Sequence, residues 1–492
     1  MSSQENVPDT KWRSQAGYVW SLIGSAVGFA NILSFSAHVY KNGGGAFLIP
    51  YSLALIFMGI PLLILEGIVG SNFKLPLVSA FGRVWGRVGK VFGWLAVIAC
   101  LTIGSFYIVL TGYSVAYTYF SAMDIIPSDT EEFFLKTFLG VTSDIADFGN
   151  LSLPIFMSTI GVALLTWCVL SRSIREGVES VCSIFMPMLV IIMTTFAVVV
   201  AFLPGGLNGW SYYLKPDFIK LGEPSLWRDI FGQLFFSLSL GLGIVVGYSR
   251  HSGKDIDIPK AMISVALGDF FVSFISGAAI FGCLAHVSYV EGIPFEKMLN
   301  TDSTFEIGFV VFPRIFKFFG SNIGPVIGVI FFFCIFIAGI TGVFSIVESI
   351  SGNIEVEFGM KRKKAVTATL IVIVSFAMMF CMGNASHIID ALVPMVMGTN
   401  MLIGGMVLIL AFYMSSKDIR SDISWGRHNG LGFYSLCLKG IAPGILSLIL
   451  MSNLYEEFLS FDTARSVRWT WFSIALVLAS LLALSVRKNI NV

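Results

Sequence analysis

The chain has 492 residues, of which 56% are hydrophobic and only 12% are charged, and its formal net charge is +1. A water-soluble domain carries about 25% charged residues, so this composition excludes an ordinary soluble protein. The near-neutral charge also gives no reason to expect a nucleic-acid partner. We predict one membrane domain covering residues 1–492, with the lipid bilayer as its surroundings.

Apolar runs of bilayer-spanning length follow one another along the whole chain, and no linker separates them. A run of about 20 apolar residues is enough to cross the bilayer as a helix. The runs predict membrane helices at residues 14–37, 46–72, 89–122, 152–171, 178–203, 229–251, 260–290, 322–355, 364–382, 388–414, 436–454 and 469–487. The prediction is therefore an all-α integral membrane protein with about 12 transmembrane helices.

The first apolar run is interrupted in its middle by Gly24-Ser25-Ala26-Val27-Gly28-Phe29-Ala30-Asn31, where a lipid-facing helix would carry leucines. The sixth run is interrupted in the same way by Ser237-Leu238-Ser239-Leu240-Gly241-Leu242-Gly243. Two broken helices in corresponding places indicate a transport site near the bilayer midplane. Unwound backbone is tolerated there only where it lines a cavity, and its free carbonyls can bind a cation.

The lysines and arginines predict the orientation of the helices. With the N-terminus placed inside, the inner loops carry about twice as many of these residues as the outer loops, as the positive-inside rule requires. The acidic loop at residues 121–151 then lies outside. We expect a multi-pass protein of the plasma (inner) membrane with both termini in the cytoplasm.

Several motifs in a fixed order carry a family resemblance over nearly the whole length. They are Trp12, the break at residues 24–31, the segment Asn42-Gly43-Gly44-Gly45-Ala46-Phe47-Leu48-Ile49-Pro50-Tyr51, Gly59-Ile60-Pro61 followed by Glu66, the segment at 232–241, and Ala338-Gly339-Ile340-Thr341. With these motifs the chain resembles the neurotransmitter:sodium symporters, and its bacterial members in particular. These proteins are sodium-coupled carriers of amino acids and monoamines.

The resemblance implies a fold in which helices 1–5 and 6–10 form a 5+5 inverted repeat with broken helices 1 and 6. On this division, residues 14–251 include helices 1–6, residues 229–414 form the second repeat, and residues 436–487 add helices 11 and 12. The family places its substrate and its sodium ions at the centre, beside the two breaks.

The implied first sodium site consists of Ala26, Asn31, Ser237 and Asp269. Oxygen atoms of this kind suit a hard cation. The implied substrate site takes an amino or imino acid, whose carboxylate meets the sodium and Tyr107. Phe236 is the expected aromatic lid. The substrate contacts implied by the resemblance are Ser25, Ala26, Phe29, Ala30, Ile103, Tyr107, Phe236, Ser237, Ser239, Leu242, Gly342 and Ile346.

The implied second sodium site consists of Gly24, Val27, Ala338 and Thr341. Family members carry a second hydroxyl next to the position of Thr341, but this chain has Gly342. We therefore expect the second ion to be bound weakly or with the help of water. Gly342 and Leu242 are also expected to leave room for a neutral, mainly apolar substrate, such as a compact ring or a branched side chain.

Chloride-dependent relatives bind the anion with residues matching Tyr51, Gln233, Ser237 and Ser273, together with an asparagine. This chain keeps those four residues but has Asp269 at the position of the asparagine. Because two negative charges a few ångströms apart repel strongly in a poorly solvated place, we expect Asp269 to act as a chloride surrogate. Transport should then be chloride-independent.

The charged gates of the family are altered. The outer gate has Ser34 at the arginine position, with Asp390 as the matching acid. The inner gate has Asp9 where an arginine precedes Trp12, and Val356 at the acidic position. Lys11 or Arg13 with Glu355 or Glu357 is one expected inner substitute. Glu66 is buried in apolar sequence, where charges are usually functional, and we expect it to brace helix 6.

Three functions compete with sodium-driven symport. A substrate-binding sensor that no longer transports is the main alternative, because the gates are altered. A channel is disfavoured, since the sequence shows no repeated filter or ring of charge. An enzyme is disfavoured because no HExxH, GxSxG or paired catalytic carboxylates are found. The sequence leaves the oligomeric state and the identity of the amino acid open.

Overall fold

The computed structural model describes residues 11–298, 307–416, 419–420, 431–459 and 463–485. In this part of the chain the regular structure is helical, apart from two isolated β-bridges. Ten unbroken helices and one bent pair are long and apolar enough to cross a membrane. In chain order, the spans are α1 (Gln15–Ala26 with Ala30–Lys41), α2 (Gly45–Phe73), α3 (Leu77–Ala122), α4 (Leu153–Leu170), α5 (Arg175–Ala201), α6 (Pro224–Ser237 with Ile244–Ser249), α7 (Ile258–Glu291), α8 (Gly320–Phe358), α9 (Arg362–Cys381), α10 (Ala385–Met414), α11 (Gly432–Leu459) and α12 (Ala464–Ser485).

Each predicted span corresponds to one of these helices. The ten unbroken helices and the bent pair α1 account for eleven spans, and the broken helix α6 completes the set of twelve. Its halves contain 14 and 6 residues, so neither is long enough to cross a membrane alone. The connections carry short helices outside the spans. These are Thr130–Glu132, Phe133–Phe138, Asn208–Leu214, Phe218–Gly222, Phe295–Lys297, Ile307–Val311 and Phe312–Lys317.

α1 breaks where the sequence predicts. Ser14 caps its first half by accepting the Gly17 N–H, and the half ends at Ala26 because Val27 is extended. The second half starts at Ala30 and is bent by 63° from the first. The Asn31 side-chain oxygen accepts the Gly28 N–H at 2.9 Å, so a backbone donor freed by the break is satisfied locally.

α6 breaks between Ser237 and Ile244, and this break depends on left-handed backbone. Ser239, Gly241 and Gly243 have φ angles of 53°, 78° and 74°, a region that glycine enters without a steric penalty. The Gly241 N–H is donated to Glu66 Oε1 at 2.8 Å. A carboxylate of α2 therefore binds the middle of the break.

α3 begins earlier than predicted, at Leu77 instead of residue 89, and its early part forms a separate arm. Gly86 (φ 60°, ψ −134°) separates this arm from the membrane part of the helix. Arg83 in the arm and Arg87 directly after Gly86 lower the hydropathy of this segment. Glu357 of α8 joins the two parts of α3, because it accepts hydrogen bonds from Ser79 in the arm at 2.6 Å and from Lys90 beyond Gly86 at 2.7 Å.

The centre of the molecule is one buried core around α1 and α6, and α3 and α8 form its most extensive helix pair. Exposed apolar side chains are frequent on the outer helices, for example Leu164, Ile191, Leu448 and Leu481. A water-soluble protein would not expose so many, but lipid-facing helices do.

Candidate functional site

The two broken helices meet at a cluster of polar side chains that contains Asn31, Ser237, Asp269 and Ser273. All four residues are fully buried. The Asn31 amide nitrogen donates to Asp269 Oδ1 at 2.7 Å, to Ser273 Oγ at 2.8 Å and to Ser237 Oγ at 2.9 Å. The Ser237 hydroxyl lies 2.9 Å from both Asp269 carboxylate oxygens. Residues from α1, α6 and α7 thus converge on one point.

This cluster is chemically suited to a small hard cation. Its side chains offer a carboxylate, two hydroxyls and an amide within hydrogen-bonding distance of one another, and sodium takes oxygen ligands. The Asn31 side-chain oxygen accepts the Gly28 N–H in this structure. The amide group must therefore rotate by half a turn about the Cβ–Cγ bond before that oxygen can contact an ion in the cluster. In the described residues, Asp269 forms no ion pair with a basic side chain.

Next to the cluster, α1, α3, α6 and α8 enclose a small cavity of about 30 Å³, room for about two water molecules. An amino acid needs more space, so these helices must separate to admit one. The predicted substrate contacts that line it are Ser25, Ala26, Ala30, Ile103, Tyr107, Phe236, Ser239, Leu242, Gly342 and Ile346. Phe29 and Ser237 were also predicted but lie behind this surface.

Tyr107 closes one side of the cavity. Its ring packs edge-on against Phe29, with ring centroids 5.1 Å apart. Gly342 faces the same ring, and a Cβ atom at this glycine would lie 2.9 Å from the Tyr107 hydroxyl. In this structure Tyr107 occupies the space directly over Gly342, which also lines the cavity.

Three further residues, Gly28, Ile244 and Ser345, line the cavity and were missed from the sequence. Ser345 follows Gly342 by nearly one helical turn, and its hydroxyl donates to the Gly342 carbonyl at 2.8 Å. The helical spacing from Gly342 would have identified Ser345. Ile244 begins the second half of α6, so its position depends on where the break ends, which the sequence does not define to one residue.

The residues implied for a second sodium ion lie where α1 and α8 meet. A Cβ atom at Gly24 would be 3.3 Å from Thr341 Cβ, so the two residues are in direct contact. The Thr341 hydroxyl donates to the carbonyls of Ile337 at 3.0 Å and Ala338 at 3.2 Å. Val27 and Ala338 are buried beside them.

Three of the four residues implied for chloride donate hydrogen bonds to other acceptors. Ser237 donates to the Asp269 carboxylate, Ser273 donates to the Asp269 carbonyl at 3.0 Å, and Gln233 donates to the Ala30 carbonyl at 2.9 Å. Of these four, Tyr51 alone has a buried hydroxyl without a partner in the described residues. The Asp269 carboxylate thus already accepts a hydrogen bond from one of the donors that an anion would require.

One end of the site is closed by Trp12 and by a charge network. The Trp12 indole N–H donates to the Tyr248 carbonyl at 2.9 Å, and its backbone N–H donates to the His251 carbonyl at 3.3 Å. Glu348 of α8 accepts hydrogen bonds from Arg362 at 2.7 Å and from Arg250 at 3.4 Å. Asp9 lies outside the described residues.

The predicted inner ion pair of Lys11 or Arg13 with Glu355 or Glu357 is wrong. Glu355 lies 3.4 Å from Arg250 and 3.7 Å from Arg362, and Glu357 binds Lys90. The prediction failed because Arg250 and Lys90 come from chain segments whose approach to α8 cannot be seen in the sequence.

At the opposite end of the site, Asp229 joins the end of α1 to the start of α6. This carboxylate accepts a hydrogen bond from Asn42 at 2.9 Å and lies 3.5 Å from His38 and 3.7 Å from Lys41. Asp390, the predicted outer-gate acid, is exposed on the first part of α10, and Ser34 lies half-buried on α1. Asp229 was not predicted, although its position in the helix before the α6 break was visible.

A family model described as "Sodium:neurotransmitter symporter family" matches residues 9–130 and 124–492. The chain belongs to this family. It is 33% identical over 444 residues to an uncharacterised sodium-dependent transporter of Methanocaldococcus jannaschii, covering 89% of each protein. It is 25% identical to the mouse sodium- and chloride-dependent neutral and basic amino acid transporter B(0+), covering 92% of this chain and 81% of the mouse protein.

The crystal structure of MhsT in complex with L-phenylalanine has the same fold. It superposes with a TM-score of 0.78 at 25% identity, covering 90% of this chain and 99% of MhsT. The predicted family and the predicted all-α membrane fold are therefore confirmed. As a member of the symporter family, the protein is a sodium-dependent transporter with a multi-pass membrane domain.

Proposed function

We propose that this symporter carries a neutral, mainly apolar amino or imino acid together with sodium by alternating access. The observation that carries the proposal is the meeting of two broken helices at Asn31, Ser237 and Asp269, beside a closed cavity. Broken helices offer carbonyls and helix ends to ions and to charged substrate groups without placing many full charges in the membrane.

The lining of the cavity supports an apolar substrate. Ile103, Phe236, Leu242 and Ile346 form much of its wall, and among the described residues no lysine, arginine, aspartate or glutamate lines it. A charged substrate side chain would therefore be buried without a partner, which is costly. The bound L-phenylalanine of MhsT, a relative with the same fold, agrees with a neutral substrate.

The substrate backbone is assigned to the polar side of the cavity. Its carboxylate would meet the sodium ion at Asn31 and Asp269 and the hydroxyl of Tyr107, and its ammonium would meet carbonyls near Ala26. Such shared contacts make each ligand tighten the binding of the other. The aromatic side chain of Phe236, which lines the cavity and is partly exposed, would cover the substrate.

The proposal includes one strong sodium site and a weaker second site at Gly24, Val27, Ala338 and Thr341. It also includes independence from chloride, because Asp269 supplies the negative charge. We place the protein in the plasma (inner) membrane with both termini cytoplasmic, from the distribution of lysines and arginines. The proposal assigns no enzymatic step to the protein.

Uptake into sealed proteoliposomes tests this function. Thermal stabilisation by each of the twenty amino acids and by imino acids, with and without sodium, first identifies the substrate, because a ligand that binds the folded state raises its stability. The labelled substrate should then accumulate above its external concentration under an inward sodium gradient. Sodium-dependent binding without accumulation would identify a sensor instead, and accumulation in potassium alone would refute sodium coupling.

A further inference from the structure

Glu179, in the first turn of α5, is a buried carboxylate that has no basic partner in the part of the chain that the structure describes. The residue is 5% exposed, and its Oε2 atom accepts a hydrogen bond from the backbone N–H of Arg13 at 2.8 Å. No lysine, arginine or histidine side chain in the described residues forms an ion pair with it, whereas Glu348 and Glu357 both do. A buried charge with so little compensation is costly, so Glu179 is suited to receiving a cation.

Glu179 faces a narrow seam between α1 and α5. Its Oε1 atom packs against Gly17, where a side chain would collide with it. One turn further along α1, the Ser21 hydroxyl donates to the Gly17 carbonyl at 2.8 Å. The face of α1 toward this carboxylate therefore carries small, buried residues.

Further along, α1 and α5 pack together again at a residue of the proposed second sodium site. Gly24 packs against Cys182 and Met186 of α5 and against Thr341 of α8. Glu179 and Met186 are seven residues apart on α5, which is about 10 Å along a helix that rises 1.5 Å per residue. Glu179 therefore lies about two turns from that site, at the end of α5 that is assigned to the cytoplasm.

We propose that Glu179 is the cytoplasmic release site for sodium, which receives the ion after it leaves Gly24 and Thr341. The inference rests on the proposed function. A single buried carboxylate attracts a cation along the seam, and one carboxylate with few further ligands binds it weakly enough to release it. Efficient passage requires this balance between entry and exit.

The variant Glu179→Gln tests the release site, because the amide keeps the size and an oxygen for the Arg13 N–H but removes the charge. Glu176→Gln is the matched control, since Glu176 is exposed in the same first turn of α5. Amino-acid uptake is measured in vesicles of one orientation while sodium is varied separately on each side. Thermal melting with sodium and substrate checks that each variant is folded and binds.

For Glu179→Gln, the internal sodium concentration that halves uptake should rise about five-fold, the change expected when a weak ion pair is lost. The external sodium concentration for half-maximal uptake should stay the same, and Glu176→Gln should match the wild type on both sides. If the glutamine variant does not fold, Glu179→Asp withdraws the carboxylate by one methylene group and should shift internal inhibition in the same direction.

Three results would overturn the release site. Unchanged internal inhibition in a folded Glu179 variant is the first. An equal shift on both sides, as a general structural defect produces, is the second. A changed dependence on internal pH with unchanged sodium inhibition is the third, because it assigns a proton to Glu179. Failure of the wild type to accumulate substrate would instead refute the proposed function, and it is seen before any variant is compared.

Discussion

At the scale of single residues, the site depends on four side chains that hydrogen-bond to one another and hold one another in position. Asn31 is central, because its amide group contacts Ser237, Asp269 and Ser273 as well as the Gly28 backbone. The sequence pointed to Asn31 and Asp269 because polar residues are rare in membrane helices. It did not reveal that Tyr107 fills the space over Gly342, since a side-chain rotamer depends on neighbours from other helices.

Replacing Asn31 tests the sodium site. Asn31→Ala removes a proposed ligand, and we expect sodium affinity to fall about 100-fold. This is the upper end of the loss seen when a residue that orients a metal ligand is replaced. Sodium-dependent stabilisation against heat measures this affinity. Ser36→Ala is the control, because the buried Ser36 hydroxyl bonds only within α1, to the Ile32 carbonyl at 3.4 Å. Normal sodium affinity in Asn31→Ala would exclude Asn31 as a ligand.

Replacing Asp269 tests the chloride prediction. Asp269→Asn removes the negative charge but keeps the side chain's shape, so the donors Tyr51, Ser237 and Ser273 become available to an anion. We expect wild-type uptake to be equal in chloride and gluconate buffers, and uptake by the variant to be stimulated by chloride. Uptake rates in the two buffers decide the matter. Wild-type uptake that stops in gluconate would contradict the assignment of Asp269.

At the scale of helices, the pattern of apolar runs was sufficient to predict the number of spans and both breaks. It was insufficient where a helix leaves the membrane, as in the arm of α3, and where short loops bring distant charges together, as at Glu348. Hydropathy reports contact with lipid, whereas these features depend on contacts between helices. The exact shape of the α6 break likewise depends on α2 and α10, which pack against it.

The α6 break can be tested at Gly241. This residue has a φ angle of 78°, and a Cβ atom there would collide with the Met401 carbonyl. Gly241→Ala should therefore destabilise the protein by about 1–3 kcal/mol, the usual magnitude of such backbone strain. Gly232→Ala, in the regular first half of α6 with no atom within 4 Å of its Cβ position, should be neutral or stabilising by up to about 1 kcal/mol.

Thermal or denaturant unfolding in detergent measures both substitutions. The comparison is matched, because each variant adds one methyl group to the same helix. Equal stability of the two variants would show that the break does not require a left-handed backbone at Gly241.

At the scale of the whole molecule, the inner ends of α1, α6, α8 and α9 are held together by one network. Trp12 binds the backbone at the end of α6, and Arg250 and Arg362 both contact Glu348. Under the proposed alternating access, we expect these contacts to open when the site faces the cytoplasm.

His251 makes this network sensitive to pH. Burial lowers the pKa of His251, and Arg250 lowers it further, although Glu348 opposes the shift. The ring is therefore neutral in the folded protein, and it accepts a hydrogen bond from Arg250 at 2.9 Å. Because the unfolded chain binds this proton more readily, its contribution to stability is complete above about pH 6.5 and is lost as the pH falls toward the lower folded value.

Melting temperatures between pH 8 and pH 5 measure this effect. The wild type should lose more stability over this range than His251→Gln, which cannot take up the proton. Identical pH dependence in the two proteins would show that His251 does not contribute.

The most direct test of sodium coupling uses a substrate gradient to drive sodium uptake, instead of a sodium gradient to drive substrate uptake. Vesicles are prepared with equal sodium concentrations inside and outside, the membrane voltage is clamped at zero, and an inward gradient of the identified amino acid is imposed. Thermodynamic coupling predicts that labelled sodium accumulates inside above its external concentration, and that Asn31→Ala abolishes this accumulation. Substrate entry without any net movement of sodium would contradict the account.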